Sequence, residues 1–393
     1  MDPISNPFAP GAGIRPPALA GRDELRETAR IAIARIARDR PAKSLLMVGL
    51  RGVGKTVLLD QIRDDAEACG ADCIRIEAPE KRSLPALLAP QLRLALLRLS
   101  RNDKAKAVAQ QGLRALAGFV GALKIRFADI EVGLDFDPEP GLADNGDLEH
   151  DLQALFEVVG RAAAEADTTL VLFIDELQYV AEAELAALIT ALHRTGQRQL
   201  PIVLVGAGLP QLRGRMGNAK SYAERLFDFP FIGPLTDRDA EQAIEQPILD
   251  ERAAIEPEAT AKIVEQTRGY PYFLQEWGKH AWDCAAQSPI DCADVDNASI
   301  LAIAALDEGF FRMRFDRLTL ADRRYLRAMA ALGPGPHRSG DIAESLGRDV
   351  QSLGPIRSKL IDKGMIWSPH HGDTAFTVPL FDEFMRRIMP DGQ

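Results

Sequence analysis

The sequence predicts an α/β fold with a doubly wound parallel sheet, followed by a smaller all-α domain and a C-terminal domain. In the first half of the chain, short apolar runs alternate with helical segments, which is typical of βαβ units. After residue 235 the pattern becomes helical, and after residue 307 it changes to short helices and a hairpin. A chain of 393 residues is too long for one compact core. We therefore expect domains at residues 1–235, 236–307 and 308–393.

Four apolar runs are the candidate strands of the sheet. They are Ser44 to Val48, Cys73 to Ile76, the run LVLFIDE that ends at Asp175 and Glu176, and the run PIVLVGAG that ends at Gly208. Helical spacing of apolar residues occurs at 22–38, 56–68 and 182–194, next to or between these runs. This alternation predicts parallel strands with crossover helices.

A long insertion, about residues 83–146, separates the second and third candidate strands and must hold structure of its own. We expect a helix at Leu87–Leu99 and a hairpin formed by Lys124–Phe127 and Ile130–Phe136, followed by a helix that Asp147 caps. Between residues 93 and 126 the insertion carries the basic residues Arg93, Arg98, Arg101, Lys104, Lys106, Arg114, Lys124 and Arg126 against the single acid Asp103. Such a run either grips nucleic-acid phosphates or forms a solvated face.

Composition excludes several classes of protein. Apolar residues make up 46% and charged residues 26%, as in an ordinary globular protein. No apolar run approaches the roughly 20 residues that span a bilayer, and the N-terminus lacks the features of a signal peptide, so we expect a cytoplasmic protein without a membrane partner. The four cysteines lack paired spacing and are expected to be reduced thiols. A net charge of −10 limits nucleic-acid binding to local segments.

The strongest motif is GLRGVGKT, residues 49–56, which matches GxxxxGK(S/T) between a candidate strand and a candidate helix. In such a loop, glycines let backbone N–H groups face phosphates, and the N-terminus of the helix adds its positive dipole. Lys55 would neutralise the outer phosphates, and the hydroxyl of Thr56 would hold Mg²⁺. The motif therefore predicts binding of ATP with Mg²⁺.

An Asp-Glu pair completes this prediction. In P-loop enzymes an acidic residue at the end of a buried strand completes the magnesium shell, and Asp175 follows the run LVLFI. Glu176 would then orient and deprotonate the attacking water as the general base of ATP hydrolysis. Alone, such a pair is usually a solvated strand end, but the loop upstream favours a catalytic role.

The sequence resembles the AAA+ and STAND ATPases, especially the branch near the bacterial and archaeal origin-recognition replication initiators. The resemblance covers nearly the whole chain and rests on the N-terminal arm with ALAGRDEL, the two Walker elements, VGAGLPQL, AERLFDFPFIGPL and GYPYFLQEWG. It implies a P-loop NTPase sheet, an all-α lid and a C-terminal winged-helix domain. It also implies a homo-oligomer that assembles through the AAA+ domains.

The resemblance assigns two further residues. Arg225 in AERLF matches the arginine finger that reaches the γ-phosphate of a neighbouring subunit, and its alternative is an ordinary surface ion pair. Pro271 in the GxP motif matches the proline that lies against the nucleotide base in STAND lids, and its alternative is a helix-starting turn. The predicted nucleotide-binding residues are Gly49, Gly52, Val53, Gly54, Lys55, Thr56, Val57, Asp175 and Pro271.

Two departures from the family pattern predict slow hydrolysis. The fourth strand ends in Gly206, Ala207 and Gly208, where many AAA+ members place a polar sensor. Tyr272 stands where their lid has the second-sensor arginine. Fewer phosphate-sensing groups favour a nucleotide-held switch over a fast motor.

The C-terminal domain raises the question of DNA. A helix near Gly354–Lys363 would turn its apolar residues inward and present other side chains to a groove. These candidates are Gln351, Ser352, Ser358 and Lys359, with Arg357 on the flank. The leading interpretation is an ATPase switch with a DNA-binding winged helix. The alternatives are a STAND-like signalling ATPase with an unidentified protein partner, and a small-molecule kinase, for which no residues specify an acceptor pocket.

Overall fold

The computed structural model of the protein describes residues 1–11, 13–80, 82–123 and 137–390. The chain divides into two compact units. The sheet unit contains Arg22–Gly49 and Lys55–Ile232, and the helical unit contains Met1–Gly21, Leu50–Gly54 and Gly233–Gln393. The predicted hairpin at 124–127 and 130–136 lies outside the described residues.

The sheet unit is built on a parallel sheet. Its strands are β1 (Ser44–Gly49), β2 (Asp72–Glu77), β3 (Leu170–Asp175), β4 (Ile202–Gly208), β5 (Phe227–Asp228) and β6 (Phe231–Ile232). The order across the sheet is β2-β3-β4-β1-β5, and β6 also pairs with β1. Every pairing among them is parallel, and every residue of β3 and β4 is buried. The predicted fold class is confirmed.

Eight α-helices are described in the sheet unit. They are α1 (Asp23–Ile36), α2 (Lys55–Ala68), α3 (Leu84–Leu99), α4 (Lys106–Ala122), α5 (Leu148–Glu165), α6 (Glu182–Gln197), α7 (Leu212–Ala219) and α8 (Ala223–Leu226). Asp147 caps α5 as predicted, because its side chain accepts from the backbone N–H of His150 at 2.8 Å. The sequence analysis missed α4, whose glycines give it a poor helix propensity. One of them, Gly112, packs closely against α3, since a Cβ there would lie 2.6 Å from a terminal methyl of Leu96.

The basic run of the insertion is partly neutralised within the sheet unit. Arg98 pairs with Asp72. Lys104 Nζ lies 3.6 Å from Asp167, and Arg114 Nε lies 3.2 Å from Glu139. These three basic side chains therefore already have acidic partners, which weakens their attraction for an external polyanion.

The helical unit contains nine described α-helices and a small antiparallel sheet. The helices are α9 (Asp237–Asp250), α10 (Pro257–Thr267), α11 (Pro271–Cys284), α12 (Cys292–Ala305), α13 (Arg312–Phe315), α14 (Leu320–Ala331), α15 (Ser339–Ser345), α16 (Val350–Asp362) and α17 (Phe381–Ile388). The strands are β7 (His337–Arg338), β8 (Ile366–Trp367) and β9 (Asp373–Phe376), in the order β7-β9-β8. Helices α14 to α16 with this sheet have the element order expected of a winged helix. The short β7 and the final helix α17 were not predicted.

The N-terminal arm packs within the helical unit, whereas the predicted boundaries placed it with the first domain. Phe8 is buried against α11, where a Cβ on Gly278 would lie 2.7 Å from its ring. The side-chain amide of Asn6 donates to the carbonyl of Lys279 at 3.0 Å and to Asp283 at 2.8 Å. A Pro- and Gly-rich segment carries no periodic pattern that would indicate what it packs on, so the sequence analysis had no basis for this contact.

Two expectations from composition can be compared with the described residues. All four cysteines are free thiols. Within the described ranges, no helix is long and apolar enough to cross a membrane.

Candidate active site

The GLRGVGKT segment runs from the end of β1 to the start of α2. Gly52 and Gly54 have φ angles of 81° and 86°, which side chains other than glycine adopt only with strain. Val53 between them is fully buried, which anchors the loop. Gly52 and Gly54 are thus explained by the positive φ angles of this phosphate-binding loop.

Lys55 and Thr56 lie at the start of α2 in the sheet unit. The Lys55 side chain is 7% exposed, and its ammonium group donates to the carbonyl of Gly49 at 2.9 Å. The hydroxyl of Thr56 donates to Asp175 Oδ2 at 2.7 Å, although 119 residues separate them in sequence. The fold therefore brings the last residues of the loop motif together with the predicted acidic residue of β3.

This oxygen pair fits a magnesium ion. Mg²⁺ prefers hard oxygen ligands and usually takes only one or two from the protein. Thr56 and Asp175 supply a hydroxyl and a carboxylate side by side, and Asp175 is 2% exposed. These two residues would hold Mg²⁺, which when bound supplies positive charge to the phosphates.

Arg75 on β2 is a site residue that the sequence analysis missed. Its Nη2 lies 3.3 Å from Asp175 Oδ2, and its Nε donates to Asp60 at 2.8 Å. The guanidinium group thus partly neutralises the buried carboxylate that would bind Mg²⁺. The signal in the sequence was a single arginine inside the apolar run CIRIE.

Glu176 follows β3 in a strained backbone conformation. The run LVLFIDE was predicted to be a strand through Glu176, but the strand ends at Asp175 and Glu176 has a φ of 55°. Asp175 Oδ1 accepts the backbone N–H of Glu176 at 2.8 Å, which stabilises this turn. Left-handed backbone is uncommon at non-glycine residues, although seven other described residues of this chain also adopt it.

Gln178 holds the carboxylate of Glu176. The side chain of Gln178 is buried, and its amide nitrogen donates to Glu176 Oε2. Its amide oxygen accepts the backbone N–H of Leu209 at 3.0 Å, just beyond β4. A Cβ on Gly208 would lie 2.9 Å from that oxygen, so the glycine at the end of β4 leaves room for Gln178. The end of β4 therefore lacks a polar side chain of its own, but the amide group of Gln178, from the segment after β3, lies beside it.

Arg225 is remote from Lys55 and Thr56 within its own sheet unit. It lies in α8, and Phe227, two residues later, is opposite Ser44 at the start of β1. The loop motif follows the other end of β1, roughly 17 Å away for a six-residue strand. Arg225 is exposed, and no hydrogen bond or ion pair of its side chain occurs among the described residues.

The GxP segment lies against the phosphate loop within the helical unit. Pro271 is the first residue of α11, and Gly269 has a φ of 65° in the preceding turn. The backbone N–H of Tyr272 donates to the carbonyl of Gly52 at 3.3 Å. Pro271 is thus next to a residue that contacts the loop, and both a nucleotide contact and a helix-starting role remain open for it.

The candidate DNA residues lie on α16. Gln351, Ser352, Ser358 and Lys359 are exposed. Arg357 is engaged inside the domain instead, because it donates to the hydroxyls of Thr374 and Ser368, both at 2.9 Å, and to the carbonyl of Asp373 at 3.0 Å. These bonds fix α16 to β9 and leave Arg357 poorly suited to a phosphate contact.

The fold and the site define a P-loop ATPase, with the loop after β1 and the acidic pair after β3 of a parallel sheet. Residues 18–205 match the AAA ATPase domain family, which confirms the AAA+ class that the sequence predicted. The site and this match together identify the protein as an ATPase. Residues 308–385 match a domain family of unknown function, DUF8462. No curated protein matches the sequence significantly.

Several solved structures are similar to this chain, and the first of those below supports the fold. The Walker-type ATPase PABY2304 of Pyrococcus abyssi is 14% identical, with 95% of this chain and 97% of that chain covered and a TM-score of 0.59. The Orc1 protein of Aeropyrum pernix in complex with DNA is 16% identical, with coverages of 95% and 94% and a TM-score of 0.46. The Thermotoga maritima RuvB Holliday junction branch migration motor is 18% identical, with coverages of 93% and 96% and a TM-score of 0.44.

Proposed function

We propose that this protein is an ATP-dependent switch. It binds ATP with Mg²⁺ through Lys55, Thr56 and Asp175, hydrolyses it slowly, and uses the nucleotide state to control self-assembly and DNA binding. The observation that carries the proposal is the 2.7 Å bond between Thr56 and Asp175, which unites the phosphate loop with the acidic strand end. Slow turnover is supported by the glycines that end β4 and by the salt bridge of Arg75 to Asp175.

We expect Lys55→Ala to abolish detectable ATP binding. The substitution removes the side-chain charge that would meet the outer phosphates in a loop otherwise built of backbone donors. Isothermal titration with Mg²⁺ and ATP measures the effect. Lys43→Ala is the matched control, because Lys43 is an exposed lysine that pairs with Asp228 on the same unit. Wild-type affinity in folded Lys55→Ala protein would remove the loop from the nucleotide site.

Self-assembly is supported by the position of Arg225. An arginine finger must contact the phosphates of a nucleotide. The length of β1 separates Arg225 from the loop motif of its own unit. A neighbouring subunit is the natural recipient. We therefore propose a homo-oligomer with head-to-tail contacts, which form a ring or an open helix.

The proposal also includes DNA binding by α16. We expect the protein to be retained on immobilised duplex DNA in an ATP-dependent manner, with retention that falls as salt rises. Lys359→Glu should weaken retention at every salt concentration, because it reverses the one exposed positive charge among the candidate residues of α16. Lys43→Glu is the control for the change in net charge. Absence of retention at low salt, with and without ATP, would exclude this role.

A second candidate function is a STAND-like signalling ATPase with a protein partner. It is favoured by the exposed apolar side chains Ile300 and Leu301 on α12 and Met313 on α13, which are 68%, 48% and 64% exposed. The internal ion pairs of the insertion and the internal bonds of Arg357 also favour it over DNA binding. The DNA-retention experiment separates the two functions.

A further inference from the structure

A cavity of about 410 Å³ lies wholly within the sheet unit. Its walls come from α1, from the C-terminal half of α2, and from the segments that directly precede β2, β3 and β4. Lys55 begins α2, whereas Ala66, which lines the cavity, lies roughly 16 Å further along that helix. The cavity is therefore separate from the Lys55 and Thr56 site of the same unit, and its volume is typical of a small-molecule pocket.

The inner wall of the cavity is apolar. Ile33 on α1 and Ile62 and Ala66 on α2 line it and are buried. Ala34 on α1 and Ala164 in the last turn of α5 also line it, and their short side chains leave the space between the helices open. Such a wall favours a ligand with an apolar body, because burial of apolar surface is favourable.

The charged side chains of the cavity balance one another. Three arginines and three aspartates belong to the lining. Arg26 donates its Nε and Nη2 to Asp65 at 3.0 and 3.1 Å, and Arg30 donates the same two groups to Glu27 at 2.7 and 2.6 Å. The other three charged residues of the lining are exposed to water. A charged ligand would lose hydration here without a surplus of opposite charge to compensate it, so the wall favours an uncharged ligand.

Thr169, directly before β3, contributes an unused hydroxyl to the lining. The residue is 3% exposed, and its carbonyl accepts the backbone N–H of Asp72 at 2.9 Å. Its hydroxyl has no hydrogen-bond partner within the described part of the chain, whereas the hydroxyl of the adjacent Thr168 donates to the carbonyl of Gly70 at 3.0 Å. Buried polar groups are nearly always hydrogen-bonded, so an orphan hydroxyl at the wall of a cavity points to a bound molecule.

We propose that this cavity binds an uncharged organic molecule about the size of a two-ring heterocycle, and that the Thr169 hydroxyl forms a hydrogen bond with its polar edge. The apolar wall surrounds the body of the ligand, and the single hydroxyl fixes its orientation. The proposal does not rest on the proposed ATP binding, because no residue of the cavity belongs to the nucleotide site described above.

Indole is the probe, because it is uncharged, largely apolar and carries one N–H donor. We expect saturable binding of indole to the full-length protein, measured by saturation-transfer NMR. Its charged analogues, indole-3-acetate and tryptamine, should bind about tenfold more weakly, since the wall compensates neither sign of charge. ATP with Mg²⁺ should not displace indole. Absence of saturable binding, tighter binding of a charged analogue, or displacement by ATP would overturn the proposal.

The position of the bound probe is tested with two alanine variants and one thiol. Ala34→Phe places a ring in the cavity from a half-buried position of α1, so we expect it to abolish indole binding. Ala186→Phe is the matched control, since Ala186 is a half-buried alanine of α6 outside the lining. Bound indole should also slow the alkylation by iodoacetamide of Cys69, an exposed thiol of the lining, but not that of Cys292. Wild-type affinity in Ala34→Phe, or an unprotected Cys69, would refute this site.

Thr169→Val and Thr169→Ser distinguish a ligand contact from a structural role. Valine has nearly the shape of threonine but lacks the hydroxyl, so the affinity for indole should fall about fivefold, whereas Thr169→Ser should bind like the wild type. The melting temperature of free Thr169→Val should equal or exceed that of the wild type, because an unpaired buried hydroxyl is unfavourable. Unchanged indole affinity in Thr169→Val, or a lower melting temperature of its free form, would contradict the proposal.

Discussion

Glu176→Gln should bind ATP normally and lose hydrolysis by about 10²- to 10⁴-fold, the range for removal of a general base. The amide has nearly the size of the carboxylate but does not accept a proton at neutral pH. The geometry favours this role, because Glu176 follows Asp175 directly and its carboxylate is held by Gln178. Single-turnover phosphate release, with nucleotide affinity measured in parallel, checks the prediction.

Two further variants distinguish loss of the general base from a disturbance of the turn that contains Glu176. Glu182→Gln changes an exposed glutamate in the first turn of α6 and should have wild-type turnover. Gln178→Leu removes the amide that orients Glu176, so we expect kcat to fall about tenfold or more while KM stays similar. Hydrolysis at the wild-type rate in Glu176→Gln would remove Glu176 from catalysis and leave the base to be sought elsewhere.

Local patterns predicted the frame of the site well. The GLRGVGKT motif and the run before Asp175 each have a strong local signature, and parallel pairing through β4 brings both to the same edge of the sheet. The Thr56–Asp175 contact follows from these two facts without any knowledge of the rest of the fold.

The residues that the sequence did not reveal act through long-range contacts. In the sequence, Arg75 is only a polar residue within a candidate strand. Its contact with Asp175 arises because β2 pairs with β3. Gln178 is important only because Gly208 leaves space for its amide group.

Arg225→Ala should lower turnover by about 10³-fold with ATP affinity nearly unchanged, because an arginine finger stabilises charge that develops mainly in the transition state. Arg161→Ala is the control, since Arg161 is another exposed arginine of the sheet unit, on α5. The specific activity of the wild-type protein should rise with protein concentration, since the finger would serve the nucleotide of a neighbouring subunit.

Mixing two inactive variants tests whether Arg225 acts between subunits. Arg225→Ala keeps an intact nucleotide site, and Lys55→Ala keeps an intact finger, so head-to-tail neighbours in a mixed assembly restore a complete site. We expect partial recovery of ATPase activity on mixing and none for either variant alone. If the mixture stays inactive although both proteins are folded and co-assemble, Arg225 does not act on a neighbour. For Arg225 to act within its own subunit, α8 would have to move relative to β1. Arg225 lies near the start of that strand, whereas Lys55 follows its end.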